Sequence, residues 1–354
     1  YTLTRSSAAS DVYKRQLWTW FEVEQPDRDL RHTSERNERL RTMIREFAAR
    51  DESLRDFAAA MFKQPGRREL VARFADPRDR AEFTGRALLG ISIGCARCHN
   101  HPMDRWSQAQ HLQFAACFSD PPPGAPAGAP GRFYLPGDGK AVESRLLPLR
   151  SLTGREPEGD ARSALADFLA GDGRAAFSRN AANRLFGILL GAHLVEAPDD
   201  HRLSNPAVHE PLMDTLADQF ARADYRLRPL IRMIMCSSLY ALASDPPDAD
   251  TLQGDPELRF LARREAQSLT GLEHRRAVRA VLGVPLQQGS APNTPLTQQL
   301  HLLNGEALRQ ALRAPGNQVE AIFDFETDAA RQLDQLYLLI LSRPPRIEER
   351  RSFQ

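Results

Sequence analysis

Residues 35–62 read ERNERLRTMIREFAARDESLRDFAAAMF. Their apolar side chains, Leu40, Met43, Ile44 and Phe47, then Leu54, Phe57, Ala58 and Met61, return every three or four residues. That spacing places one apolar stripe on each of two amphipathic helices. The same period recurs through most of the chain, while strand signals are few, so the sequence predicts a mainly α protein. Arg80 to Ile93 reads as a further helix carrying Phe83, Ala87, Leu88 and Ile91. Ser107 followed by Gln110 reads as a capping box that opens a helix through Phe118. Near the C-terminus, Leu227, Leu230, Ile231, Ile234 and Met235 form one stripe, and Leu333, Leu336, Tyr337, Ile340 and Leu341 another.

With 354 residues, 42% of them hydrophobic, the chain is long enough for two or three cores of ordinary size. Forty-seven basic side chains oppose 46 acidic ones, a net charge of +1 that argues for neither nucleic acid nor an anionic membrane as partner. Only three of the basic residues are lysines, and the arginines are spread along the chain beside acids, not clustered. No apolar run approaches the roughly 18 residues of a bilayer-spanning helix. Residues 1–16 (YTLTRSSAASDVYKRQ) have no helical or strand period and resemble adapter-derived sequence, so they are expected to be foreign to the fold. The ending on Ser352-Phe353-Gln354, straight after a charged helical segment, suggests truncation.

Residues 120–131 (DPPPGAPAGAPG) hold five prolines and three glycines, the composition of a linker. The expected organisation is therefore a helical domain over 17–119, the linker with a short extended piece at Phe133-Tyr134-Leu135 over 120–145, and a second helical domain over 146–354. Loops are expected at 197–205, 245–255 and 285–295, where Pro, Gly, Asp and Asn gather.

Four cysteines are too few and too unevenly spaced for a disulfide scaffold. Cys95-Ala96-Arg97-Cys98-His99 instead has the pattern of covalent haem c attachment, in which two thiols add to the vinyl groups and the adjacent imidazole ligates the iron. Cys95, Cys98 and His99 are the candidate cofactor-binding residues on this reading, with His99 the iron ligand. C-x-x-C also suits tetrahedral zinc, held by Cys95, Cys98 and two of His99, His101 and His111, with Cys95, Cys98, His99 and His101 the set closest in sequence. A thioredoxin-like pair would need a β-α-β pattern, which is missing. His101 and Met103 lie too near His99 to reach the opposite haem face. His111 shares a stripe with Phe114, Ala115 and Phe118, which makes it a core residue or, less simply, a distal ligand. Cys117 and Cys236 each follow apolar helical residues, so both are expected to be buried.

The segment ALLGISIGCARCHNHPMDRWSQAQHLQFAACFSD (87–120) resembles the C-x-x-C-H part of a planctomycete cytochrome-c-like domain of unknown function. Segments past the linker, including NRLFGILLGAHLVEAPDDHRLSNPAVHEPLMDTLADQF (183–220) and YRLRPLIRMIMCSSLYALAS (225–244), are similar to the second planctomycete domain of unknown function that follows it. The resemblance implies an exported or periplasmic protein with haem c at Cys95, Cys98 and His99, and with a redox partner protein or a further cytochrome c domain as partner. Its activity would be electron transfer or haem-dependent oxidoreduction, linked through the family to polysaccharide degradation. Where the family often has an aromatic residue after His-Pro, this chain has Met103. In the second segment Asn183, Arg184, Asp199, Asp200, Asn205 and His209 match the family's polar set. Asp199, Asp200, His209 and Arg184 are the candidate catalytic groups, since a carboxylate pair with an arginine and a histidine can do acid–base work. The plainer alternative is that Asn205 caps the following helix and Asp200 pairs with Arg184. A non-enzymatic interaction module built round a zinc site is the competing function.

Overall fold

A computed structural model describes residues 17–18, 20–23, 33–119, 133–136, 139–148, 161–244, 253–256, 258–265, 269, 271–284 and 294–352. The leader 1–16 and the Pro/Gly-rich segment 120–131 lie outside the described residues. The chain forms two compact units, 1–265 and 266–354. Both are built from helices, as the periodicity predicts. Among the described residues the paired strands are β1 (Phe133–Tyr134) and β2 (Ala141–Val142), an antiparallel ribbon with Phe133 opposite Val142.

The first unit opens with α1 (Thr33–Arg50) and α2 (Leu54–Lys63). Their stripes are inside: Leu40, Ile44, Phe47, Leu54, Phe57, Ala58 and Met61 are all buried. Short helices α3 (Pro65–Ala72) and α4 (Pro77–Thr84) follow, each with proline in its first turn, where the missing N–H costs no helical bond. The side chain of Asp76 caps α4 by accepting from the Arg78 N–H at 2.9 Å.

The helix expected over 80–93 ends earlier. It widens into a π-turn at Gly85–Leu89, stops at Gly90 with φ 68°, and a 3₁₀ turn at Gly94–Arg97 then carries the first cysteine. The widened turn leaves carbonyls for distant donors. Ala87 O accepts from Trp20 Nε1 at 2.7 Å and from Asn180 Nδ2 at 2.8 Å, and Arg86 O accepts from Arg184 at 2.9 Å. Helix α5 (Gln108–Ala116) starts with the expected capping box at Ser107 and Gln110.

After the ribbon come α6 (Ala161–Ala170), α7 (Arg174–Leu190), α8 (Glu210–Arg222) and α9 (Leu227–Met235). Helix α7 buries Phe177, Ala181, Leu185 and Phe186, and α9 buries Leu227, Leu230, Ile231 and Ile234. Residues on both sides of the Pro/Gly-rich segment, from Leu17 through Phe118 and from Leu146 through Ile234, belong to one continuous hydrophobic core. Cys117, the C-cap of α5, is buried, as expected. Cys236, the C-cap of α9, is exposed, contrary to expectation, because it stands two residues past Ile234 and so off the buried stripe Leu227, Leu230, Ile231 and Ile234.

The second unit contains α10 (Gly271–Leu282), α11 (Pro295–Asn304), α12 (Glu306–Arg313), α13 (Gln318–Phe325), α14 (Ala329–Leu341) and α15 (Ile347–Ser352). Val278, Leu282 and Ala311 make its small core. The stripe expected around Leu333 to Leu341 does lie on one helix, α14, yet none of it is buried. Among the described residues no helix is long and apolar enough to cross a membrane.

Candidate functional site

Cys95 in the 3₁₀ turn and Cys98 and His99 just past it are all exposed, and both thiols are free. The turn is fastened from beneath. Arg97, between the two cysteines, reaches Asp79 at 2.5 Å, Asp76 at 2.8 Å and Glu82 at 3.5 Å. All three carboxylates belong to α4 or its cap, spaced three residues apart so that they share one face. Gln108, in the first turn of α5, donates its side-chain amide to the carbonyls of Cys98 at 2.9 Å and Arg97 at 3.3 Å, while its own N–H is taken by Asn100 Oδ1 at 3.0 Å.

His99 Nδ1 lies 2.8 Å from its neighbour's carbonyl, Asn100 O. A carbonyl only accepts, so Nδ1 is the donor, the arrangement by which metal-bound histidines are usually oriented. His101 is engaged differently: its Nδ1 accepts from the Met103 N–H at 3.1 Å, and its N–H donates to Trp106 O at 2.8 Å. Met103 is exposed, with no apolar surroundings to hold a thioether on an iron. His111 is a core residue; its fully buried ring meets Glu82 at 3.1 Å. Glu82 is partly buried, which works against its charge, yet His111, Arg97 and Arg86 hold its carboxyl below the ordinary glutamate value. Thus Arg97 and His111 converge on one carboxylate under the cysteine turn.

The four side chains of the zinc alternative are not gathered into a ligand set. Among the described residues no group of three or more His, Cys, Asp or Glu side chains is placed to hold a metal ion. Two features fit a covalently attached haem: a pair of accessible, unpaired thiols, and a histidine whose Nδ1 is engaged by a backbone carbonyl. A cavity of about 450 Å³ in the first unit is lined by none of Cys95, Cys98 and His99.

The polar set of the second segment is dispersed into structural roles. Asp200 pairs with Arg202 at 2.9 Å, not with Arg184. Arg184 instead donates to Asn180 Oδ1 at 3.0 Å and to Arg86 O. Helix α8 begins at Glu210, so its cap is His209, whose Nδ1 accepts from the Leu212 N–H at 3.1 Å, and not Asn205, which precedes the helix by five residues. Asn205 holds the loop by donating to Glu196 O at 2.9 Å and Asp200 O at 3.0 Å. Asn183, completely buried, clamps the backbone of Val195 by both its amide oxygen and nitrogen. Among Asp199, Asp200, His209 and Arg184, no pair is within hydrogen-bonding reach.

Two protein-family models match the chain. PSCyt2, a protein of unknown function (DUF1549), matches residues 30–122, and PSD1, a protein of unknown function (DUF1553), matches residues 161–294. These are planctomycete domains of unknown function, in the order expected from the sequence. No curated protein and no solved structure matches the chain. The cysteine turn falls in the PSCyt2 segment, and Arg184, Asp199, Asp200 and His209 in the PSD1 segment. Sequence reading overlooked the residues that join the two segments. Asn180 of the PSD1 segment donates to Ala87 O, and the N–H of His201 donates to Gly90 O at 2.9 Å. The signal available for them was an asparagine beside the apolar stripe of a helix, Asn180 next to Phe177, Ala181 and Leu185.

Proposed function

We propose that the PSCyt2 segment is a covalent haem carrier, with Cys95 and Cys98 as the attachment thiols and His99 as the iron ligand, and that the protein works in electron transfer or haem-dependent oxidoreduction outside the cytoplasm. A redox protein or a further cytochrome c domain is the partner this reading implies. The observation that supports it best is the orientation of His99, whose Nδ1–H is committed to Asn100 O beside two exposed, unpaired thiols. A bound haem supplies reversible one-electron chemistry at its iron. The chain's own residues fix the turn: Arg97 and Gln108 hold its backbone, so the thiols and the imidazole point outward without further ordering.

The test is expression of the full chain in a bacterial periplasm with a cytochrome c maturation system. The expected product is red, keeps its haem through acid–acetone extraction, and loses it when Cys95 and Cys98 are both changed to Ser. A colourless product that binds one equivalent of zinc would overturn the reading in favour of a structural metal site.

A further inference from the structure

The first unit also has a cavity of about 450 Å³, enclosed by the loop 104–106, the start of α7 and the loop 201–206. That volume lies within the roughly 300–1,000 Å³ usual for small-molecule sites. Its floor is aliphatic, since Leu89, Ile91 and Val195 are each at most 4% exposed. Its wall carries three arginines, and they are not equivalent. Arg179 is taken by Glu210 at 2.7 Å and by Asp214. Arg202 is taken by Asp200. Arg105 lies with its guanidinium 4.7 Å above the Trp106 ring and has no carboxylate partner among the described residues.

Of the acids of the wall, Glu210 accepts from Arg179 and from the Ala207 N–H at 2.8 Å, and Asp104 Oδ1 accepts from the backbone N–H of Arg105 at 2.7 Å. Arg105 is thus the arginine of the wall whose guanidinium meets no carboxylate among the described residues. A guanidinium stacked on an indole offers its N–H groups in a plane, the geometry that suits a carboxylate. From the described wall residues and the polar groups just behind them we infer that this cavity binds a small carboxylate with an aliphatic body, the carboxylate on Arg105 and the body over Leu89, Ile91 and Val195. Burial, then the positive charges of Arg179 and Arg184, push the His201 imidazole of this wall down to about 4, so it stays neutral at pH 7. This site does not depend on the haem reading, because none of its residues is Cys95, Cys98 or His99.

The probe is hexanoate, titrated into the full chain as purified and followed by isothermal calorimetry and ligand-observed NMR. For a ligand of this size the expected Kd is on the order of 0.1–1 mM. Hexanamide, which keeps the chain and loses the charge, is expected to bind at least about tenfold more weakly, and Arg105→Gln to cost hexanoate about tenfold. Arg105 is exposed, so this variant should fold as the parent does. Ala175→Phe at the rim should block both ligands. The inference is overturned if hexanoate does not bind up to about 10 mM, if hexanamide binds as tightly, if Arg105→Gln leaves the affinity unchanged, or if glucose binds where hexanoate does not.

Discussion

Gly90 is where the π-turn, the PSCyt2 segment and the PSD1 segment meet, and replacing it by alanine separates two costs. The first is conformational. Gly90 has φ 68°, and an alanine in the left-handed region costs about 1–2 kcal/mol, offset by about 0.4–1 kcal/mol because the unfolded chain loses freedom. The second is steric. A Cβ at this position would lie 2.7 Å from His201 Cδ2 and 3.0 Å from Asn180 Oδ1, against an ordinary carbon contact of about 3.5–4.0 Å. Neither neighbour can yield cheaply, since the His201 N–H donates to Gly90 O and Asn180 holds both Ala87 O and Arg184. Overpacking of this kind costs about 1–3 kcal/mol, so the total is about 1–4.5 kcal/mol. Gly139 supplies the control: its φ is 65° but a Cβ there meets nothing within 4 Å, so Gly139→Ala should cost at most about 1.5 kcal/mol. Urea unfolding followed by tryptophan fluorescence reads the right region, because Trp18, Trp20 and Trp106 all lie in the first unit. If Gly90→Ala destabilises no more than Gly139→Ala, the close packing of the two segments at this turn is wrong.

Thiol reactivity should divide three to one in haem-free protein. Cys95, Cys98 and Cys236 are exposed and should label within minutes, whereas burial pushes the Cys117 thiol up to about 12, so its labelling should require unfolding; a fourth fast thiol would contradict the burial of Cys117 on α5. Stability should also fall as pH drops from neutrality. An unfolded histidine takes its proton near pH 6.5 and native His201 only near 4, so between these values the unfolded state binds more protons and the native state loses stability, while above about pH 6.5 the contribution is constant. The urea midpoint should decline from pH 7 to pH 4.5, and less steeply in His201→Gln; an equal slope in the variant would show that His201 is not held neutral.

Helices with strong periodicity were legible because their burial is a local property of spacing. Leu40 to Phe47 and Leu54 to Met61 face the core as their three-and-four pattern demands, and the Ser107–Gln110 box forms between residues three apart. What could not be read were features fixed from far away. The helix expected to run to Ile93 stops at Leu89 because its widened turn gives carbonyls to Trp20, Asn180 and Arg184, donors 67 to 98 residues distant in sequence. Cys236 shows the converse error: an apolar neighbourhood suggested burial, but two residues past Ile234 it falls off the three-and-four stripe that faces the core.

The candidate site divides along the same line. Cys95, Cys98 and His99 were legible as one motif because the pattern lies within five consecutive residues. The machinery that holds this turn is non-local: Arg97 reaches back 21 residues to Asp76 and 18 to Asp79, and Glu82 joins it to His111 29 residues ahead. The contacts of the candidate acid–base residues were hidden for a related reason. Asp199, Asp200 and His209 are close in sequence, yet an arginine, a loop and a helix start each claim one or another of these polar groups first, and buried backbone must be satisfied before a side chain is left for chemistry. In this fold the polar groups of the PSD1 segment mostly complete the backbone of their own loops and of the PSCyt2 turn. The thiols at Cys95 and Cys98 and the guanidinium of Arg105 have no such partner among the described residues, so they are where a ligand has something to meet.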